Sequence, residues 1–231
     1  MKNILIIGAS SGIGLELTRI LKEKNKIYAL SRSRVEIAES ENIKWKEFDV
    51  LNDEIDSDFL PESLNGLIYC PGSINLKPFR GLKVADVMSE FELNALGAFK
   101  VIQAVLPKLK KSYSASVVLF STVAVGQGMP YHVSISMAKG AVEGMTRSLA
   151  AELAPAIRVN AIAPSLTDTP LASRLLSSDE RRDSSAQRHP LKRVGKPADI
   201  ASMAAFLLSD EASWITGQIM AVDGGMGALK I

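Results

Sequence analysis

The sequence predicts a doubly wound α/β fold, in which one parallel sheet carries helices on both faces. Three observations lead there. Short apolar runs without polar alternation recur along the chain, segments of helical period separate them, and a glycine cluster stands at the first strand-to-helix junction. Strands buried on both faces read as continuous Ile, Val and Leu runs, whereas strands with one wet face alternate. Alternation of strands with helices then makes the sheet parallel, because a parallel crossover needs a helix-sized connection.

The strand runs are residues 4–7, 27–30, 43–48, 67–69, 116–120, 158–162 and 218–222. The helical segments are 12–24, 84–91, 95–110, 136–153, 171–177 and 197–208. Pro197 followed by Asp199 suits a helix start, since proline lacks only a donor that would go unpaired there and an acid complements the dipole. Two crossovers, 33–42 and 51–66, are short for a helix, so one or both are expected to be loops or single turns. Neither a repeat nor a low-complexity stretch interrupts the pattern, and no linker divides it. Residues 1–231 therefore read as a single domain.

Composition narrows the function classes. Apolar residues make up 47% of the chain, enough for a substantial core, and 27 basic against 25 acidic residues leave a net charge of +2. No run of like charge points to nucleic acid or to an anionic membrane, and Arg181-Arg182 followed by Asp183 reads as a solvated helix face. The first apolar run is too short for a signal peptide, and no later one could span a bilayer. With one cysteine, Cys70, no intrachain disulfide forms, and a cytoplasmic, reducing location is expected. No His or Asp motif accompanies Cys70, which reads as a packed small side chain.

Gly8-Ala9-Ser10-Ser11-Gly12-Ile13-Gly14 lies between the first strand and the first helix, spaced G-x-x-x-G-x-G. Glycines there let the chain turn sharply and bring backbone amides against a pyrophosphate, which sits on the positive end of the helix. Any tight turn can use a glycine cluster, but the strand-turn-helix context is that expected of the phosphate-binding turn of a Rossmann-type fold.

The sequence resembles the short-chain dehydrogenase/reductase family almost end to end. The resemblance rests on the glycine loop and on Asp49-Val50 after the third strand. It rests also on Cys70-Pro71-Gly72, where members usually carry Asn-Ala-Gly. Further along it rests on Asn94, expected to open a long helix, Ser121 ending the fifth strand, Lys139, Pro164 with Thr167 and Thr169, and Val222-Asp223-Gly224-Gly225. It implies that Gly8, Ser10, Ser11, Gly12, Ile13 and Gly14 line the pyrophosphate. Asp49 and Val50 would line the adenine, and Gly72, after Cys70 and Pro71, the adenosine ribose. Lys139 would bond the nicotinamide ribose, and Pro164, Leu166, Thr167 and Thr169 would hold the nicotinamide end. The plainer alternatives are that Asp49 is a turn cap and Thr169 a helix cap.

An acid roughly 20 residues after the glycines would take the ribose hydroxyls of NAD. The second strand instead ends Leu30-Ser31-Arg32-Ser33-Arg34, and the nearest acid, Glu36, lies beyond the strand end. Ser31, Arg32, Ser33 and Arg34 suit charge-assisted hydrogen bonds to a 2′-phosphate, so NADP(H) is expected in preference to NAD(H).

In the family a tyrosine four residues before the lysine passes the proton, a serine orients the substrate oxygen, and an asparagine holds a water that connects to the lysine. Asn94, Ser121 and Lys139 match that pattern, but Ile135 stands in the tyrosine's place. Isoleucine has no transferable proton. General acid–base catalysis supplies about 10²–10⁴-fold, so the loss is serious without ending all hydride transfer. Tyr131 and His132 are the nearest substitutes and would share a helix face with position 135 if the helix reached that far.

Three functions follow. The first is an NADP(H)-dependent oxidoreductase of a carbonyl or alcohol with an atypical proton donor. The second is a catalytically impaired protein that senses the dinucleotide or uses it structurally. The third, a methyltransferase of related fold, is opposed by Ser121, Lys139 and Thr169, which serve nicotinamide contacts. The resemblance further implies a homodimer or homotetramer. The helices at 95–110 and 136–153 would pair with their copies, and Ala138, Ala141 and Gly144 are small enough to admit close approach. A variable substrate-binding segment would lie within about 164–195, with residues 171–188 setting specificity.

Overall fold

The structure, a computed structural model, describes residues 1–34 and 41–230. Seven strands form one parallel sheet: β1 (Lys2–Ile7), β2 (Asn25–Ser31), β3 (Ile43–Glu47), β4 (Gly66–Tyr69), β5 (Ala115–Phe120), β6 (Ile157–Pro164) and β7 (Ile219–Val222). Their spatial order is β3-β2-β1-β4-β5-β6-β7. The chain works outward from β1 to β3 and then returns to build the other half from β4. A switch point therefore lies between β1 and β4, where crevices at the carboxyl ends of strands bind ligands.

Among the described residues seven α-helices accompany the strands: α1 (Gly12–Leu21), α2 (Val84–Phe91), α3 (Gly97–Lys110), α4 (Val123–Gln127), α5 (Val133–Leu153), α6 (Asp179–Gln187) and α7 (Pro197–Leu208). Successive side chains of a strand point to opposite faces, so the unbroken apolar runs feed two cores. Ile4 and Ile6 of β1 join Leu17 and Leu21 of α1 and Ile200 and Leu207 of α7. Leu5 and Ile7 join Val101, Val105 and Leu109 of α3 and Val142 and Ala150 of α5. That two-sided burial is why the strands lack polar alternation.

Residues 51–65 hold no helix, as their length predicted. In the other short crossover, residues 35–40, Glu36 among them, lie outside the described residues. The first helix stops at Leu21 rather than Lys24, where the Asn25 side-chain amide donates to the Leu21 carbonyl at 2.9 Å and satisfies a group the helix end leaves over.

Asn94 does not open a helix. It lies in a π-helical turn, Glu92–Leu96, that joins α2 to α3. The Tyr69 hydroxyl donates to the Leu93 carbonyl at 2.6 Å, and a Cβ on Gly97 would strike the same hydroxyl. The wide turn accommodates that insertion into the helical ladder.

The helix expected over 171–177 is a single 3₁₀ turn, Pro170–Ala172, followed by further turns. Ala172 and Leu176 are buried there as anchors of a loop. The true helix is α6, capped by the Ser178 hydroxyl accepting from the Arg181 amide at 3.3 Å, with Asp179 and Glu180 in its first turn. It is polar on nearly every side, so it presents no apolar stripe to read. Among the described residues no helix is long and apolar enough to cross a membrane.

Candidate active site

The glycine loop is built as its spacing requires. Gly8 and Gly12 adopt φ of +80° and +51°, values that only glycine takes at no steric cost. Gly14 packs so closely that a Cβ would overlap the Gly8 carbonyl. Ser11 is the N-cap of α1 but makes no side-chain cap, and the first turn holds no acid. The opening amides and the positive end of the helix dipole are thus left to an anion. Facing the loop, a Cβ on Gly12 would meet Thr169 at 3.3 Å. The segment bearing Thr169 is fixed by Gly195, whose amide donates to Leu166 O at 3.0 Å and whose carbonyl accepts from the Asp168 amide at 2.8 Å.

At the end of β2, Ser33 stands 3.1 Å from Ser10 across their hydroxyls, tying that turn to the glycine loop. Arg32 is exposed beside it. Ser31 is turned inward, accepting from the Trp45 indole at 3.0 Å and donating to the Ser33 carbonyl at 2.8 Å, so its hydroxyl is committed to the fold. Asp49 caps a turn, accepting from the Leu51 amide at 3.1 Å and the Asn52 side chain at 3.0 Å. Val50 is in the core. Cys70 hangs from the end of β4 by a backbone bond to Ile7, and burial pushes its thiol up to about 12, which makes it inert at neutral pH. The Pro71 ring packs against Gly8.

Beyond these elements opens a cavity of about 580 Å³, lined mostly by apolar side chains, with Ser121, Lys139 and His189 among the polar ones. Lys139 is buried on α5. Removal from water lowers its pKa to about 8, against the pull of the Glu90 charge, which raises it. A Cβ on Gly72 would lie 3.2 Å from Asn94 Oδ1 and 3.6 Å from Lys139 Nζ, so this glycine leaves open the place where the two side chains converge. Asn94 Oδ1 is buried with no hydrogen-bond partner among the described residues. The Ser121 hydroxyl donates to Glu143 Oε1 at 2.8 Å, and Ile135 adds an aliphatic patch to the cavity wall.

The comparisons decide what this arrangement belongs to. A family model described as enoyl-(acyl carrier protein) reductase matches residues 8–227. The 3-oxoacyl-[acyl-carrier-protein] reductase FabG of Thermotoga maritima is 31% identical over 241 residues, 97% of this chain and 97% of that protein. A short chain dehydrogenase family protein of Francisella tularensis superposes with a TM-score of 0.88 at 26% identity, covering 99% of this chain and 100% of that one. The chain belongs to the short-chain dehydrogenase/reductase family. Another solved structure, ElxO with NADP bound, gives a TM-score of 0.88 at 26% identity over 99% of this chain and 100% of its own.

This is an oxidoreductase family whose reaction links a carbonyl to its alcohol through a nicotinamide cofactor. The residues of this short-chain dehydrogenase/reductase fit such a dinucleotide. The glycine loop leaves a cradle that side chains would fill, and the unpartnered Asn94 Oδ1 lies beside Lys139 at the far end.

The helix carrying Lys139 does not extend back to Tyr131. α5 begins at Val133, with His132 as its N-cap. Tyr131 lies outside it at φ +70° and is 57% exposed. Pro130 precedes the pair and Gly128 turns the chain, so no helical face joins Tyr131, His132 and Ile135. Both candidates nonetheless line the cavity. His132 Nδ1 lies 2.7 Å from the Pro130 carbonyl. Since a carbonyl only accepts, Nδ1 carries the proton and Nε2 is the basic nitrogen.

Three features escaped the sequence reading. Thr122, next to Ser121, also lines the cavity and caps α4 by accepting from the Ala124 amide at 3.3 Å. Ser165 and His189 form a pair at 2.8 Å on the cavity wall, with His189 Nδ1 donating to the Ser185 carbonyl at 2.8 Å. A chain with only two histidines gave a faint signal for that pair. Glu90 is buried beside Asn94, and its spacing from Asn94, one helical turn, was the signal available.

Proposed function

We propose that the chain is an NADP(H)-dependent oxidoreductase that interconverts a carbonyl and an alcohol, with a proton donor other than a phenol at position 135. The dinucleotide preference is carried by the end of β2. Residues 31–34 hold two arginines and no acid, and Ser33 joins that turn to the glycine loop through Ser10. Guanidinium groups there suit a 2′-phosphate. Arg32, Ser33 and Arg34 carry the reading, because the Ser31 hydroxyl is already bonded on both sides.

Bound at this site, a nicotinamide supplies or receives the hydride. The chain itself binds, orients and manages protons. The first-turn amides of α1 receive the pyrophosphate, Lys139 holds the nicotinamide ribose, and the segment from Pro164 to Thr169 holds the nicotinamide end. Ser121 and Thr122 bring hydroxyls to the cavity where a substrate oxygen would be oriented. The lining of Leu171, Leu175 and Met226 favours a substrate with an apolar body.

The competing reading is a catalytically impaired NADP(H)-binding protein, and the aliphatic Ile135 is the observation in its favour. Dissociation constants for NADPH and NADH, followed by NADPH oxidation over a panel of carbonyls, separate the two. Tighter binding of NADPH with measurable turnover is expected. Tight binding with no turnover on any carbonyl transfers the conclusion to the binding protein.

A homodimer or homotetramer in the cytoplasm completes the proposal. Phe99 on α3 and Met137 on α5 are 46% and 57% exposed, an apolar surface on the helices expected to pair. Ala138 is already buried within the chain, so Ala141 and Gly144 would face the partner copy.

A further inference from the structure

Glu90 is a buried acid that the family chemistry does not use. It projects inward from α2, only 2% exposed. Its Oε2 accepts from Ser73 Oγ at 2.6 Å and from Asn94 Nδ2 at 3.1 Å. A carboxylate removed from water is costly without a compensating positive charge, and neither of these partners carries one. The cation lies on the other side of Asn94. The amide nitrogen of Asn94 is drawn to Glu90, whose carbonyl also accepts from it at 2.8 Å. Its Oδ1 is thereby turned toward Gly72, against which Lys139 Nζ also lies. Glu90, Asn94 and Lys139 thus form a row from α2 to α5.

We propose that Glu90 is the counter-charge that holds Lys139 as an ammonium ion, and that this ammonium gives the substrate its proton where the family has a phenol. The inference rests on the oxidoreductase reading. In the direction of reduction, hydride from the nicotinamide forms the new C–H bond and the carbonyl π pair moves to oxygen. One Nζ–H bond of Lys139 breaks as the O–H bond forms, leaving the alcohol and a neutral amine. Water reaching the cavity returns the proton to the amine. Glu90 acts through Lys139 and is a positioning residue; Lys139 touches the reacting atoms.

The charges around Lys139 set the sign. Glu90 from α2 favours its protonated form and burial opposes it, while the Cys70 thiol, raised to about 12, is uncharged where Lys139 titrates. Glu143, one turn along α5, is engaged with Ser121 and Arg147, and His132 and Tyr131 stand before the start of α5. Burial and Glu90 together leave Lys139 titrating near pH 8, where an acid is well matched to neutral working conditions. Without Glu90 the proton is lost at lower pH.

The test is a pH titration of Lys139 Nζ by heteronuclear NMR on the full chain without dinucleotide, its signal assigned by absence in Lys139→Met. The midpoint is expected near 8 in the unmodified protein. It should fall by about one unit in Glu90→Gln, the low end of what an opposite charge at close range contributes, and should stay in place in Glu90→Asp. An unchanged midpoint in Glu90→Gln overturns the proposal. If that variant does not fold, a midpoint well below neutral pH in the unmodified protein, which would leave Lys139 an amine with no proton to give, overturns it equally. In turnover, the rate of reduction should decline as pH rises through the Lys139 midpoint, and that decline should move with the midpoint in Glu90→Gln, costing about threefold at pH 7.5. Because the titration needs no substrate, a protein that binds NADPH but turns nothing over refutes the oxidoreductase reading and leaves the Glu90–Lys139 coupling measured.

Discussion

Adding a single methyl group at Gly14 tests the glycine loop. The new Cβ would overlap the Gly8 carbonyl oxygen and lie 2.9 Å from its carbon and 3.3 Å from the Ala9 Cα. Those are backbone atoms and cannot rotate aside. Non-bonded carbons settle at about 3.5–4.0 Å, so the start of α1 must withdraw from the loop by roughly half an ångström or more. Overpacking of this kind costs about 1–3 kcal/mol. The better helix propensity of alanine returns up to about 1 kcal/mol, so Gly14→Ala should fold with reduced stability. Binding suffers separately, because the displaced amides are those offered to the pyrophosphate. Losing one hydrogen bond to a charged group costs about 1.5–3 kcal/mol, which is about 10- to 100-fold in Kd. NADPH and NADH should weaken alike, since the loop is reached before the ribose is distinguished. Fluorescence titration with each dinucleotide measures this, with circular dichroism to show that the variant is folded. Unchanged affinity in a folded variant refutes the loop assignment. So does a loss confined to NADPH, which would place Gly14 beside the 2′-phosphate.

The unmodified protein should bind NADPH more tightly than NADH, and Arg32→Ala should narrow the gap by about tenfold, the worth of one charge-assisted hydrogen bond; equal Kd values in the unmodified protein refute the preference. Tyr131→Phe and His132→Ala should each leave dinucleotide Kd unchanged and lower carbonyl reduction only a few-fold. A loss of about 10²-fold in either one would identify that residue as the general acid and remove Lys139 from the role. Light scattering at micromolar concentration should give a multiple of the 24.9 kDa chain mass, and a monomer would refute the pairing of α3 and α5.

Much of the sheet was legible because each strand is buried on two faces, which leaves Ile, Val and Leu no room for polar alternation, as in Ile4-Leu5-Ile6-Ile7. Elements held by side-chain hydrogen bonds were not legible. The polar helix α6 exists through its Ser178 cap and acidic first turn, while Leu171, Leu175 and Leu176, which suggested a helix, line the cavity or anchor a loop. The π turn at Asn94 depends on Tyr69, a residue far away in sequence. In the site, motif order singled out Gly14, Asn94 and Lys139 as candidates, although Asn94 lies in a π turn and Lys139 inside α5 rather than at a helix start. It missed Glu90 and the Ser165–His189 pair, since burial and pairing arise from tertiary packing. The condition on which Tyr131 would share a helix face with position 135 is not met, because Gly128, Pro130 and a positive φ at Tyr131 keep the helix from starting before Val133.

Ile135 and Glu90 together make the site internally consistent. A phenol at 135 would rely on the neighbouring ammonium to ease its own ionisation, and the proton would leave from oxygen. With an aliphatic side chain there, Lys139 no longer shares its charge with a second titrating group. Its proton is also held in a drier setting, which weakens the hold of nitrogen on it. Burial alone would lower the Lys139 midpoint further and leave less of the ammonium at neutral pH. A carboxylate behind Asn94 restores part of the affinity without approaching the cavity, so the ammonium persists yet remains acidic enough to donate. The two departures pull in opposite directions on one group, and the titration of Lys139 measures their balance.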